Sequence, residues 1–172
     1  MNDHYSSIVE FVESLPRDVE SIAICGTSYT EAGGIARVIE QQASDLAESG
    51  FDVEINTLTG DKNAPDNVRV HRIGRFETTP YKQLDKLITP ITPERWRFLS
   101  RMDDIDLVIT HRFPFSILGY LASHTQGDTT YVFWSHPSQS SDDLFDGVAK
   151  VWAKLQHYFE TTHFTVRNAD YV

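Results

Sequence analysis

Three short stretches carry residue types that can do chemistry. The first is GTSYTEAGGIAR, residues 26–37, in which Gly33 and Gly34 stand just before an amphipathic run. Glycine has no Cβ, so its backbone can approach a ligand closely. The free N–H groups and dipole of a helix start favour an anion such as a phosphate. The spacing is not GxGxxG, and no Gly-Lys-Ser/Thr follows, so this is neither a dinucleotide fingerprint nor a P-loop. The second is VFWSHP, residues 132–137, with His136 just past an aromatic strand. A histidine there can hydrogen-bond a sugar hydroxyl, accept a proton or steady a developing charge. The third is THRFPF, residues 110–115, with His111 and Arg112 at another strand end, expected to project into one crevice. Arg112 could pair with a phosphate or carboxylate. Each stretch also has a plainer reading: a glycine pair that permits a tight turn, a histidine that caps a loop, an arginine that pairs with surface acids.

Other candidates are weaker. Arg69, Arg72, Arg75, Arg95, Arg97 and Arg101 make the middle of the chain locally basic and are expected mainly to pair with acids. His157, Glu160 and His163 recur every third residue but drift around a helix, and no HExxH or His-x-His occurs, so no metal site is expected. Ser135, Ser138, Ser140 and Ser141 form no GxSxG elbow. Cys25, the one cysteine, excludes an intrachain disulfide. Its apolar neighbours Ile22, Ala23 and Ile24 predict a buried strand thiol. Trp96, Trp134 and Trp152 read as core or core-edge residues.

The elements that position these residues alternate in type. Residues 5–14 carry a helical stripe of Ile8, Val9, Phe11 and Val12, closed by Pro16. Ser21–Cys25 is a short apolar strand bounded by Gly26. Ile35, Val38, Ile39, Ala43 and Leu46 form the apolar face of a long helix, which Gly50 terminates. Asp52–Leu58 and Asn67–Ile73 alternate as strands two and three. A helix is predicted over 94–101, a strand over Asp106–Thr110 and a helix over 114–123. A strand follows over Thr129–Trp134, then a helix over 148–159 and the start of a strand at Ala169–Val172. The β-α-β alternation predicts an α/β fold: a Rossmann-like, doubly wound, mainly parallel sheet with helices on both faces. Ligands of such sheets bind at the carboxyl ends of strands, which points to Gly26–Gly34, Gly60–Asp61, His111–Pro114 and Ser135–Ser138.

Composition bounds the rest. At 172 residues with 40% hydrophobic content, one domain with a real core is expected. The formal net charge of −10 argues against a nucleic-acid partner, because phosphate binding needs a basic footprint. Asp outnumbers Glu 15 to 10 and Arg outnumbers Lys 10 to 5, an acidic, lysine-poor balance that suits a halophilic source or an ordinary acidic cytosolic protein. No run reaches the ~18 apolar residues of a membrane span. The N-terminus lacks the basic and apolar regions of a signal peptide, so a cytoplasmic location is expected.

Taken in order, the pieces resemble a known family. An apolar strand leads to a Gly-Gly loop, then to GGIARVIEQQASDLAESGFDVEINTLTGD, NVRVHRI, DLVITHRFPFSILGYLA, TTYVFWSHP and a final RNADYV. This resembles the N-terminal, acceptor-side half of a retaining glycosyltransferase of the GT-B fold, family 4 type, over roughly residues 21–172. The resemblance implies a role for each matching residue. Gly33 and Gly34 approach the donor diphosphate. His136 contacts the donor sugar near the reacting centre. His111 and Arg112 belong to the acceptor side, and Arg37 reaches an acceptor or phosphate. It implies a nucleotide-sugar donor, a glycan or lipid-linked acceptor, no cofactor, no metal dependence and peripheral contact at the inner face of the membrane. The chain departs from the family pattern at Phe51-Asp52, in place of a Gly-His step, and at the bulky Trp134-Ser135 before His136. The family's C-terminal nucleotide-sugar domain, with its Glu-x7-Glu motif, is absent, so the chain is expected to be inactive alone. Two other readings stay open. One is a stand-alone Rossmann-like anion- or nucleotide-binding module. The other is an NAD(P)-dependent oxidoreductase using Asp61, which the glycine spacing disfavours.

Overall fold

The computed structural model describes residues 6–31, 34–60, 62–73, 100–111 and 129–134. Among these, β1 (Ser21–Ser28), β2 (Asp52–Thr59), β3 (Val68–Arg72), β4 (Leu107–His111) and β5 (Thr130–Phe133) form one sheet, accompanied by α1 (Ile8–Glu13) and α2 (Gly34–Glu48). The strand order is β3-β2-β1-β4-β5, and every pairing is parallel. This is the Rossmann-like α/β sheet that the alternation predicts. The expected helices over 114–123 and 148–159, the strand over 169–172 and most of the helix over 94–101 lie outside the described residues.

A parallel sheet is stable when both faces are covered. On one face, Ile22 and Ile24 of β1, Val53 and Ile55 of β2, and Leu107 and Ile109 of β4 pack with Ala36, Ile39, Ala43 and Leu46 of α2. Ile8, Phe11 and Val12 of α1 complete that layer. On the other face, Ala23, Cys25, Leu58 and Val108 pack with Met102 and Ile105. Cys25 is fully buried, as expected, and burial together with the nearby Glu54 carboxylate pushes its thiol pKa well up. Fully burying one such aliphatic side chain stabilises the fold by about 1.5–3 kcal/mol.

The structure adjusts several expected boundaries for local reasons. The first helix begins at Ile8 because the Ser7 hydroxyl caps it, accepting from the Glu10 N–H at 3.1 Å. Strand one does not stop at Gly26 but runs through it to Ser28. A Cβ there would lie 2.2 Å from Ile39 Cδ1, so Gly26 serves the packing of α2 on the sheet. Gly50 takes a φ of +97°, the left-handed conformation that follows a helix end. The inner face of α2 includes the polar Gln42, whereas Val38 is only half-buried.

The alternation in β2 does not separate core from solvent. Glu54 and Asn56 are buried on the second face of the sheet. Asn56 Nδ2 donates to Glu54 Oε1 at 2.7 Å, Arg101 Nη2 donates to Glu54 Oε2 at 3.1 Å, and His71 Nε2 lies 3.3 Å from that same oxygen. Burial holds the His71 pKa below its usual value despite the attraction of Glu54, and the positive charge of Arg101 pushes it the same way.

Asp106 joins the amino ends of β1 and β4. Its Oδ2 accepts from the Glu20 N–H, the Ser21 N–H and the Ser21 hydroxyl, each at 2.9 Å. Burial opposes its ionisation, but these hydrogen bonds outweigh burial and hold its carboxyl below the ordinary value. A depressed carboxyl pKa contributes stability that is present above the unfolded value near ~3.9 and is lost as pH falls toward the folded value. Asp106→Asn is therefore expected to lower stability at pH 7 by about 1–3 kcal/mol. It should also reduce the loss of stability on acidification below about pH 4. Urea unfolding at pH 7 and at acid pH checks both effects.

Candidate functional site

Chain connections leave β1 in one direction, toward β2 and β3, and enter β4 and β5 on its other side. The reversal between β1 and β4 is the topological switch point, and the crevice outside the carboxyl ends there is where such sheets bind ligands. Gly26 near the end of β1 pairs in register with His111 at the end of β4. Beyond β1, residues 29–31 lead toward α2, whose first residue is Gly34.

The expected site residues meet different environments. Gly34 opens α2, and a Cβ built there meets nothing within 4 Å, so packing does not demand a glycine at this position. Arg37 lies one turn on and is exposed. His111 does not project openly into the crevice. It is fully buried beneath α2, where its Nε2 donates to Gln42 Oε1 at 2.9 Å, and its ring centroid lies 6.3 Å from that of Trp134. The physical reason is strand parity: Leu107, Ile109 and His111 share the face that α2 covers. The Gln42 Nε2 is also buried and has no hydrogen-bond partner among the described residues. Gly33, Asp61, Arg112 and His136 lie outside the described residues.

Of the basic residues in the middle of the chain, the described ones are engaged. Arg69 binds both carboxylate oxygens of Asp52, at 2.9 and 2.8 Å. Arg101 binds Glu54, and Arg72 donates to the carbonyls of Gly60 and Lys62. They are partnered within the domain and do not gather as a free cationic patch.

A second constellation at the carboxyl edge escaped the sequence reading. Lys62 Nζ donates to Glu40 Oε2 at 2.7 Å, lies 3.7 Å from Glu31 Oε2, and sits 5.9 Å from the centroid of the buried Tyr29 ring. The hydrogen bond to Glu40 raises the Lys62 pKa against the opposing effect of burial. Burial pushes the Tyr29 phenol up to about 12, and Glu40 and Glu31 act in the same direction. Gly60 adopts a φ of +148°, and a Cβ there would lie 1.9 Å from the Tyr29 carbonyl oxygen. The available signal was the Gly60–Asp61 step after strand two together with a lysine in a chain that has only five. Its partners are 22 and 31 residues away, and no local periodicity could supply them.

A surface hollow lined by Ser44, Glu48, Pro65, Asp66 and Asn67 lies beside the far end of α2. Its charged lining is acidic, which suits neither a diphosphate nor a carboxylate ligand.

The sequence profile of Glycosyltransferase Family 4 matches residues 32–172. The chain belongs to that family. The matched segment contains Gly33 and Gly34, α2, β2 to β5 and the three candidate residues His111, Arg112 and His136. Among solved structures the chain is similar to WaaG, a glycosyltransferase involved in lipopolysaccharide biosynthesis. The identity is 16% and the TM-score 0.45, over 86% of this chain and 33% of that one. It is also similar to the apo form of WaaB, a lipopolysaccharide outer core galactosyltransferase, with 13% identity and a TM-score of 0.45, over 66% of this chain and 32% of that one. The chain thus spans about a third of the length of these two proteins. No curated protein sequence matches it. No described helix is long and apolar enough to cross a membrane, and the described residues hold no cluster of three or more metal-ligating side chains.

Two substitutions separate packing from surface roles in this family 4 domain. Gln42→Leu removes the acceptor of the buried His111 ring and is expected to cost about 1–3 kcal/mol. Arg37→Ala, on the exposed side of α2, should change stability by no more than about 0.5 kcal/mol. Thermal and urea unfolding of both variants check the contrast.

Proposed function

We propose that the chain is the acceptor-side lobe of a retaining glycosyltransferase that moves a sugar from a nucleoside-diphosphate donor to a hydroxyl acceptor. The observation that carries this reading is the family match over residues 32–172, in a chain whose helix α2 opens at Gly34 beside the switch point of a parallel sheet. In the reaction, the bond between the anomeric carbon and the diphosphate oxygen breaks. A bond from that carbon to the acceptor oxygen forms, the acceptor hydroxyl passes its proton to the departing diphosphate oxygen, and the nucleoside diphosphate leaves. Gly33 and Gly34 let the donor diphosphate approach the α2 N-terminus, where free N–H groups and the helix dipole favour negative charge. His136 stands at the donor sugar, and Arg112, Arg37 and the strand end marked by His111 form the acceptor side. The buried His111 shapes that side by holding β4 against α2 rather than by offering an open imidazole. The acceptor is a glycan or a lipid-linked sugar, reached in the cytoplasm at the inner membrane face. No metal is required in this reading, because cationic groups supplied by the second lobe, with helix N–H groups, carry the leaving charge.

Residues 1–172 supply one wall of the cleft. A second, nucleotide-holding lobe must complete it, since half a cleft cannot position both reactants or stabilise the leaving diphosphate. The test is transfer by the full-length protein against a panel of nucleoside-diphosphate sugars. The anomeric configuration of the product is read by NMR, and EDTA controls for metal dependence. Retention without metal, together with no turnover by residues 1–172 alone, is the expected result. His136→Ala should lower kcat by about 10²-fold or more with little change in stability. Gly34→Val should raise donor KM, because it puts side-chain bulk where the phosphate must approach. An inverted product, or an unchanged kcat in His136→Ala, would remove the corresponding assignment.

A further inference from the structure

On the second face of the sheet, Glu54 holds two basic side chains on one carboxylate oxygen. Its side chain is only 5% exposed. Arg101 Nη2 lies 3.1 Å and His71 Nε2 lies 3.3 Å from Oε2, while Oε1 accepts from Asn56 Nδ2 at 2.7 Å. The other titratable groups near this cluster, among the described residues, are already accounted for. Cys25 stands opposite Asn56 on β1, and burial keeps its thiol protonated. Arg69 stands opposite Glu54 on β3 and gives its guanidinium to both oxygens of Asp52. One carboxylate therefore serves Arg101 and His71 together.

With His71 neutral, the charges of Glu54 and Arg101 balance. A proton on His71 adds a second positive charge beside Arg101, and like charges repel strongly where water is partly excluded. The two side chains are not equally free to leave. His71 is fixed on a strand, in register with Asn56 of β2. Arg101 directly precedes the 3-10 turn Met102–Asp104, and its side chain is 39% exposed, so its guanidinium can exchange Glu54 for water. That turn matters to the core, because Met102 is fully buried in the apolar cluster of Ala23, Cys25 and Val108. We infer that His71, Glu54 and Arg101 form a pH-sensitive latch: protonation of His71 displaces Arg101 from Glu54 and loosens the segment from Met102 to Ile105 on the sheet. Burial holds the His71 pKa below its usual value against the attraction of Glu54, and Arg101 and Arg69 act in the same direction as burial. The stability tied to this group is therefore fully present above the unfolded value of about 6.5 and is lost as pH falls through the lower folded value. The latch is closed at neutral pH and opens on acidification.

Amide exchange of the whole chain, read by NMR and divided by the intrinsic rate at each pH, tests the latch. The reporter is the Ile105 N–H, which donates to the Met102 carbonyl at 3.2 Å. Its protection should fall about tenfold between about pH 7.5 and about pH 5.5, the effect of a shift of one pKa unit. In His71→Gln the protection should stay constant over that range. In Arg101→Gln it should already be low at the higher pH and should fall no further. The His71 imidazole should also titrate at higher pH in Arg101→Gln, because a neighbouring positive charge is gone. Both substituted side chains are partly exposed, so both variants are expected to fold. Protection that does not change with pH, or a change that His71→Gln leaves intact, would overturn the inference. So would a His71 midpoint that Arg101→Gln leaves in place.

Discussion

The structure depends on β1 being paired on both edges. Its backbone bonds to β2 on one side, from Ser21 opposite Asp52 to Ser28 opposite Thr59, and to β4 on the other, from Ile22 opposite Leu107 to Gly26 opposite His111. A buried peptide group with no partner costs about as much as a lost hydrogen bond, so a strand this deeply buried needs both neighbours in register. Asp106 sets that register at the amino end by gathering the first N–H groups of the strand. At the other end, Gly26 lets α2 sit close through Ile39. The switch-point crevice follows from these constraints, because the connections on the two sides of β1 diverge from it.

Charge is handled differently on the two faces and at the carboxyl edge. Glu54 lies among apolar side chains on the second face, where Asn56, Arg101 and His71 supply its partners. At the carboxyl edge the same principle serves a different end. Lys62 is set between two carboxylates that flank the backbone leading into α2. A chain with a net charge of −10 needs such local compensation wherever an anion is to approach. Overall charge sets long-range behaviour, whereas local electrostatics depend on a few groups within several ångströms.

The fold was legible in the sequence to a large extent. The strands at Ser21, Asp52, Val68, Leu107 and Thr130 and the long helix from Gly34 all announce themselves by runs or periodicities of apolar residues. Such patterns are local, and local patterns survive in a linear reading. The order of motifs also sufficed to identify Glycosyltransferase Family 4, which the match over residues 32–172 establishes. The misread details were those set by neighbours in space. Gly26 does not end β1, because the strand goes on pairing with Thr57 and His111 and onward to Thr59, and the alternating polarity of β2 does not mark a solvent face.

The candidate site divides along the same line. The sequence by itself determined the parallel α/β class, the long helix that follows β1 and the place of His111 at the end of β4, because chain order and side-chain type encode these. Only the tertiary structure decided that His111 is sealed under α2 against Gln42, and that Lys62 joins Glu31 and Glu40. Those pairs are 69, 31 and 22 residues apart in the chain, and only the stacking of strands in the order β3-β2-β1-β4-β5 brings such distances within reach of a hydrogen bond or an ion pair.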